Sequence, residues 1–129
     1  MEFDLPLFSS SVSAGFPSPA DDYIEQRLDL NELLVKHKEA TFFLRVEGDS
    51  MTGIGIHHGD LLIVDKSIKA THKKIIIAVL DAELLVKQLY LKNDQVFLLP
   101  ANPNYKAITV TSEQDFQVWG VVTAVIHKV

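Results

Sequence analysis

The sequence predicts a mostly β fold with one short helix and an extended N-terminal arm. Six runs of strand-forming residues follow one another at short intervals from Thr41 onward, a pattern typical of all-β domains. Turn-forming residues lie between these runs, so neighbouring strands can pair. Apolar residues make up 47% of the 129 positions and charged residues 22%, which favours one globular domain over disorder.

The first 20 residues are expected to form an extended, exposed arm. They hold three of the five prolines and four closely spaced serines, without a sustained helical or strand period. Residues 23–28 then predict a first short strand. Asp29, with a glutamate three positions later, fits a capping box that begins a helix of about two turns reaching His37. The arm therefore covers residues 1–20, and the folded domain covers residues 21–129.

The six apolar runs predict the strands of the domain, at residues 42–46, 61–64, 75–79, 84–91, 96–99 and 118–126. Glycine, proline, asparagine and aspartate predict the turns between them, at residues 48–49, 53–59, 81–82, 93–94 and 100–104.

Composition excludes several classes of function. The formal net charge of −5 gives no electrostatic basis for gripping a nucleic-acid backbone, so we expect no direct sequence-specific DNA binding. Without cysteine, the chain has no disulfide, thiolate metal ligand or cysteine nucleophile. The longest apolar runs are far shorter than the roughly 20 residues of a membrane helix, and the N terminus lacks the features of a secretory signal. A cytoplasmic location without membrane contact is expected.

Ser50 is the first candidate for a chemical role. It lies in Gly48-Asp49-Ser50-Met51, after a predicted strand and a glycine turn. This context can expose the hydroxyl while neighbouring backbone amides converge on an oxyanion. The same residues are ordinary turn formers, so the tetrapeptide alone leaves a structural role open.

Lys87 is the second candidate, because strand alternation places it on the same face as Leu85, Leu89 and Leu91. One interpretation is an edge-strand lysine whose amine reaches solvent. The other is a buried amine, whose pKa would be lowered by desolvation until it could accept a proton from a serine. A serine activated by lysine is a known variant of the activated nucleophile.

No cofactor and no metal centre are predicted. His57 and His58 are adjacent and face opposite ways in an extended segment, and the remaining histidines show no ligand spacing. The acidic residues at turns have no paired-carboxylate signature and are interpreted as structural, namely Asp60, Asp65, Asp81 and Asp94. The glycines of residues 53–59 lack the lysine and hydroxyl that follow in a nucleotide-binding loop.

Four segments carry a resemblance to a known family: Ala14-Gly15, Gly48-Asp49-Ser50-Met51, Gly59-Asp60-Leu61-Leu62-Ile63-Val64-Asp65, and Val86-Lys87. In this combination the chain resembles the LexA/UmuD group of self-cleaving peptidases, and residues 15–20 and 25–31 resemble the UmuD branch in particular. The resemblance implies a LexA-like fold of curved antiparallel β-sheets, a dyad of Ser50 and Lys87, and cleavage of the chain's own Ala14-Gly15 bond. In the implied mechanism, the backbone amides of Asp49 and Ser50 stabilise the oxyanion.

The resemblance also implies partners. Family members of the UmuD branch form homodimers, are cleaved when stimulated by a RecA filament on single-stranded DNA, and then join a UmuC-like Y-family polymerase subunit. This would place the chain in translesion synthesis during the SOS response to DNA damage. Only about 14 residues precede the predicted cleavage site, too few for the DNA-binding helices of a repressor.

Two alternatives stay open. The chain could be a non-cleaving dimeric binding module that regulates a Y-family polymerase through its intact arm. A signal peptidase also uses serine and lysine, but the absence of a hydrophobic anchor disfavours it.

Overall fold

The computed structural model describes residues 3–9, 11–12 and 24–129. Contacts within the chain define two compact units, residues 1–36 and 37–129. The predicted mostly β architecture is confirmed, since the described residues form two antiparallel sheets and one short α-helix. The predicted boundary between arm and domain, at residue 20, lies outside the described residues.

In the first unit, β1 (Asp4–Phe8) and β2 (Ile24–Asp29) pair as a two-stranded antiparallel sheet. β2 confirms the first predicted strand. β1 was not predicted, because Pro6 breaks the strand pattern and is tolerated only where its missing N–H needs no partner, as on an edge. An exposed ion pair joins the strands, with Arg27 Nε 2.9 Å from Asp4 Oδ1, and such pairs contribute about 0–1 kcal/mol.

The helix α1 (Leu30–Leu34) begins where the capping signal predicts. Asp29 accepts a hydrogen bond of 2.9 Å from a backbone amide of the first turn through Oδ1. The predicted length is wrong, because α1 ends after five residues and Val35 is already extended, with φ −112° and ψ 105°. His37 lies in the second unit instead, where its Nδ1 is 2.6 Å from Oδ2 of Asp65.

Seven strands build the second unit: β3 (Thr41–Arg45), β4 (Leu61–Asp65), β5 (Ile75–Leu80), β6 (Glu83–Lys92), β7 (Gln95–Leu99), β8 (Ile108–Val110) and β9 (Phe116–Ile126). They form one antiparallel sheet in the order β3-β4-β9-β5-β6-β7-β8. Two short 3₁₀ helices occupy Lys38–Ala40 and Thr52–Ile54. Six of these strands were predicted, and β8 was missed because three residues are too few for a period to be recognised.

Tight turns at the two ends of β6 join it in hairpins to β5 and to β7. Asp81 and Ala82 have φ of 48° and 69°, and Asn93 and Asp94 have φ of 51° and 63°. Two successive positive φ values are the signature of the hairpin turn whose twist matches the strands. β6 pairs with β5 through residues 83–88 and with β7 through residues 88–92. Within the described residues, the first half of β6 therefore keeps one edge without a strand partner.

The core lies on both faces of β5. Ile77 packs in one apolar cluster with Met51 and Leu62, while Ile76 packs in a second cluster with Leu98. All five side chains are at most 2% exposed. Because successive strand residues point to opposite faces, one strand serves both clusters. The first cluster includes the residue directly after Ser50, so the core holds one end of the predicted functional turn.

Candidate active site

Ser50 lies in the turn that leaves β3, and this turn is fixed at both ends. Gly48 has φ of +86°, a conformation that glycine adopts without strain. Its amide donates a hydrogen bond of 3.0 Å to Nδ1 of His58. On the other side, the Met51 side chain is 1% exposed in the core. The hydroxyl is therefore presented from a backbone with little freedom to move.

The loop after β7 braces the same turn. Ala101 N donates to Ser50 O at 2.8 Å, and Gly53 N donates to Ala101 O at 2.6 Å. The side-chain amide of Asn102 donates to Asp49 O at 2.8 Å. Sequence reasoning predicted this loop only as a turn, because nothing in its residues indicates which distant segment it contacts.

Lys87 is brought to Ser50 by β6. Its Nζ lies 2.8 Å from Ser50 Oγ, and the residue is 8% exposed. Burial lowers the pKa of Lys87, and the carboxylate of Glu83 acts on that pKa in the opposite direction with a smaller effect. The ring of Tyr105 lies 5.7 Å from Nζ. The solvent-reaching interpretation is therefore wrong for this lysine, and its neutral form is more accessible than that of an exposed lysine.

The leucines predicted to share a face with Lys87 differ in burial. Leu89 is 4% exposed and enters the core, whereas Leu91 is 42% exposed near the end of β6. The apolar surroundings of the amine therefore come from the middle of the strand and from the neighbouring β5, where Ile76 is the cross-strand partner of Lys87.

The backbone amides of Asp49 and Ser50 are candidate donors to an anion. Within residues 24–129, neither amide donates a hydrogen bond to the protein, whereas the preceding amide of Gly48 is taken by His58. The carboxylate of Asp49 accepts a hydrogen bond from the hydroxyl of Tyr105. The Asp49 side chain thus contacts Tyr105, while within residues 24–129 its backbone amide has no acceptor.

A cleft of about 330 Å³ opens beside these side chains. Its walls come from residues 44–47, which lead from β3 to the turn, and from residues 83–87 in the first half of β6. The edge of β6 that lacks a strand partner among the described residues borders this cleft. An extended peptide segment fits such a space, because it can add to a free strand edge through backbone hydrogen bonds.

Two acidic residues interpreted as structural from the sequence are buried and hydrogen-bonded. Hydrogen bonds from Ser67, and then from His37, lower the pKa of Asp65 to about 2. The pKa of Asp60 is also lowered, and the largest cause is the hydrogen bond from the backbone amide of His57. These carboxylates are therefore charged at neutral pH and fix the ends of β4.

Asp60 is also the centre of a cluster that sequence reasoning missed. The structure brings His57 and His127 to this carboxylate, and the three residues together offer three potential metal ligands. His127 lies 67 residues from Asp60 along the chain, so ligand spacing gives no signal for the cluster. Ala14 and Gly15, the predicted cleavage site, lie outside the described residues. Among the helices of the described part of the chain, none has the length and apolar character needed to span a bilayer.

Comparison with known proteins gives consistent matches over most of the chain. Residues 6–123 match the Peptidase S24-like family. Protein SamA of Salmonella typhimurium is 49% identical over 123 residues, which cover 95% of this chain and 85% of SamA. Protein ImpA of Escherichia coli is 46% identical over 123 residues, covering 95% and 83%. The LexA repressor of Syntrophotalea carbinolica is 42% identical over 123 residues, covering 95% of this chain and 59% of the repressor.

Proposed function

We propose that this chain, which belongs to the Peptidase S24-like family, cleaves its own polypeptide with Ser50 as nucleophile and Lys87 as base. The predicted resemblance to the LexA/UmuD group is confirmed by the family and by the relatives. One observation carries the assignment of residues: Lys87 Nζ is a buried amine 2.8 Å from Ser50 Oγ. A base within hydrogen-bond reach of a hydroxyl, with a pKa lowered by burial, is the arrangement that activates a serine.

The mechanism proceeds through an acyl-enzyme. Neutral Lys87 accepts the proton of Ser50 Oγ as this oxygen attacks the carbonyl carbon of Ala14. The amides of Asp49 and Ser50 hold the negative oxygen of the tetrahedral intermediate. When the peptide bond breaks, the ammonium of Lys87 returns a proton to the nitrogen of Gly15. A water molecule, deprotonated by the same amine, then attacks the carbonyl carbon of the ester, and the ammonium of Lys87 returns the proton to Ser50 Oγ as the ester bond breaks.

The substrate is proposed to bind as an extended segment along the first half of β6. The strand edge, which has no partner in the described part of the chain, and the cleft beside it support this pose, since backbone pairing fixes the register of a peptide without requiring particular side chains. The small residues at Ala14 and Gly15 suit a narrow approach to the buried dyad. Because the substrate segment is part of the same chain, the rate at which it reaches the dyad depends on docking of the arm and not on collision between separate molecules.

The partners proposed for the chain follow from its family. We propose a homodimer in the cytoplasm, whose cleavage is stimulated by a RecA filament on single-stranded DNA. A filament that favours the docked arm would accelerate cleavage without adding catalytic groups. The shortened chain is then proposed to serve a UmuC-like Y-family polymerase in translesion synthesis, as part of the SOS response. The net charge of −5 supports contact with DNA through these partners rather than directly.

Intact-mass spectrometry of the purified full-length chain tests the proposed activity and bond together. At alkaline pH, where more of the amine is neutral, we expect fragments corresponding to residues 1–14 and 15–129. The same fragments should appear faster at neutral pH when RecA and single-stranded DNA are added. A chain that stays intact under both conditions would instead support the non-cleaving binding module.

Glu83→Gln is expected to move the pH profile of self-cleavage to lower pH. The negative charge of Glu83 favours the ammonium form and so raises the pKa of Lys87, against the larger effect of burial. Removing this charge lowers the pKa of Lys87 further, and a larger fraction of the amine is then neutral at each pH below that value. The rate of fragment formation across a pH series measures the shift.

Glu113→Gln is the matched control, because it removes the same charge from the turn between β8 and β9, outside the cleft. Its pH profile should match the wild-type profile. An equal shift in both variants would point to net charge rather than to the local field at Lys87, and an unchanged profile for Glu83→Gln would argue against this amine as the base.

A further inference from the structure

We propose that His57, Asp60 and His127 form a binding site for a divalent transition-metal ion of the zinc type. None of the three residues takes part in the peptidase chemistry proposed above. The carboxylate of Asp60 lies between the two imidazoles, with Oδ1 2.6 Å from His127 Nδ1 and Oδ2 3.8 Å from His57 Nδ1. Three potential ligand atoms, one from each residue, lie within 4.8 Å of one another.

The fold fixes the positions of all three residues through the backbone. β4 and β9 pair with Leu61 opposite Ile126, so the next positions outward bring Asp60 beside His127. His57 is placed by a turn in which Asp60 N donates to His57 O at 3.0 Å. The amide of His57 in return donates to Oδ2 of Asp60 at 2.8 Å. The ligands are therefore gathered by structure that exists without an ion.

The donor set suits a borderline metal ion. Two imidazole nitrogens and one carboxylate oxygen are a common three-ligand set for zinc, which leaves a fourth position for water or another ligand. A hard ion such as Mg²⁺ or Ca²⁺ prefers a set made of oxygens. The Asp60 carboxylate has a side chain only 3% exposed, so it brings a negative charge that is poorly screened by water to the ion.

The two histidines can complete the coordination by small rotations. Ligand atoms about 2.0–2.2 Å from a tetrahedral zinc ion lie roughly 3.4 Å from one another. The 2.6 Å contact of His127 Nδ1 with Asp60 Oδ1 must therefore open, and the 3.8 Å separation of His57 Nδ1 from Asp60 Oδ2 must shorten slightly. The side chains of His57 and His127 are 49% and 51% exposed, and their rings are tilted by 48° with centroids 5.3 Å apart. These rings can therefore turn, while the buried carboxylate keeps its place and its bond to the His57 amide.

The competing interpretation is a purely structural cluster, in which His127 only pairs with Asp60 to hold the end of β9. The experiment that separates the two uses untagged full-length protein carrying Ser50→Ala, so that the chain stays intact. Zinc titrated in a calorimeter should bind with one ion per chain. His57→Gln and His127→Gln should each weaken binding at least about tenfold, by analogy with the loss when a metal site loses a supporting group.

Glutamine at position 127 keeps an N–H that can donate to Asp60, so this variant separates metal affinity from loss of the hydrogen bond. His72→Gln is the matched control, because His72 lies elsewhere and accepts a hydrogen bond from the Leu91 amide. It should bind zinc as the parent does. The visible absorption of bound Co²⁺ should likewise be lost in the two cluster variants and kept in the control.

No saturable binding by the parent would overturn the proposal, as would binding that survives the double variant at His57 and His127. An equal loss of affinity in His72→Gln would do the same, because it would place the ion elsewhere. These readouts are independent of self-cleavage, so the metal site and the peptidase assignment can fail separately.

Discussion

Replacing Lys87 with methionine is expected to abolish self-cleavage, lowering its rate at least about a thousandfold, since removal of a general base that activates a serine has effects of this size or larger. Methionine retains an unbranched chain of similar length, so the buried space beside Ile76 remains filled. It cannot accept the proton of Ser50, whose pKa is far too high for spontaneous ionisation at neutral pH. Formation of the 15–129 fragment, followed by intact-mass spectrometry at alkaline pH, gives the rate.

Two further variants show whether the loss of cleavage is specific to the dyad. Ser50→Ala should be equally inactive, because it removes the nucleophile, and the double variant should be no slower than either single variant. Lys92→Ala removes an exposed amine from the same strand and should cleave as the wild type does. Thermal unfolding should show that all variants are folded. Cleavage of the Lys87→Met chain at a rate close to that of the wild type would eliminate Lys87 as the base.

Gly53→Ala is expected to reduce self-cleavage about a hundredfold, the cost of a displacement of roughly 1 Å at a reacting centre. A Cβ at this position would overlap the carbonyl oxygen of Ala101, which is backbone and has little freedom to withdraw. The turn and the loop after β7 must then separate, which disturbs the hydrogen bonds at Gly53 N and Ser50 O. Overpacking of this kind should also lower the free energy of unfolding by roughly 1–3 kcal/mol.

Gly55→Ala is the matched control for this prediction. Gly55 has φ of +83°, and a Cβ there would meet nothing within 4 Å. The substitution therefore adds backbone strain of about 1 kcal/mol without a clash. Urea unfolding should detect a loss of stability in both variants, whereas cleavage should fall strongly only in Gly53→Ala. Equal cleavage rates in the two variants would mean that the contact with Ala101 does not position the nucleophile.

The sequence predicted those parts of the fold that depend on local patterns. Alternation and breakers gave six strands of the large sheet and the hairpin turns around β6, because positive φ at Asn93 and Asp94 is a local preference. The length of α1 could not be obtained in the same way, because no glycine or proline marks its end between residues 34 and 38. Capping signals report the start of a helix better than its end.

The sequence predicts the two reactive residues of the candidate site but not the distant residues that hold them in place. A serine in a glycine turn and a lysine among leucines are local anomalies that a sequence exposes. The supports are distant contacts, such as Asn102 with Asp49 and His127 with Asp60. Each joins segments more than 50 residues apart, and only strand order and register bring them together. No periodicity in one segment encodes the identity of its neighbour.

Gln88 is the one residue of β6 that pairs with both β5 and β7. Lys87 directly precedes it, so the amine sits where the ladder changes from one neighbouring strand to the other. Fraying from the β7 side would have to pass this junction before it reached Lys87, and fraying from the Glu83 end would first have to open four pairs of the β5–β6 ladder. The reactive geometry is therefore held inside the paired ladders and not at a free strand end, where local opening is easiest. Conditions that leave this unit folded should leave the dyad assembled, and the pace of reaction is then governed by delivery of the substrate segment.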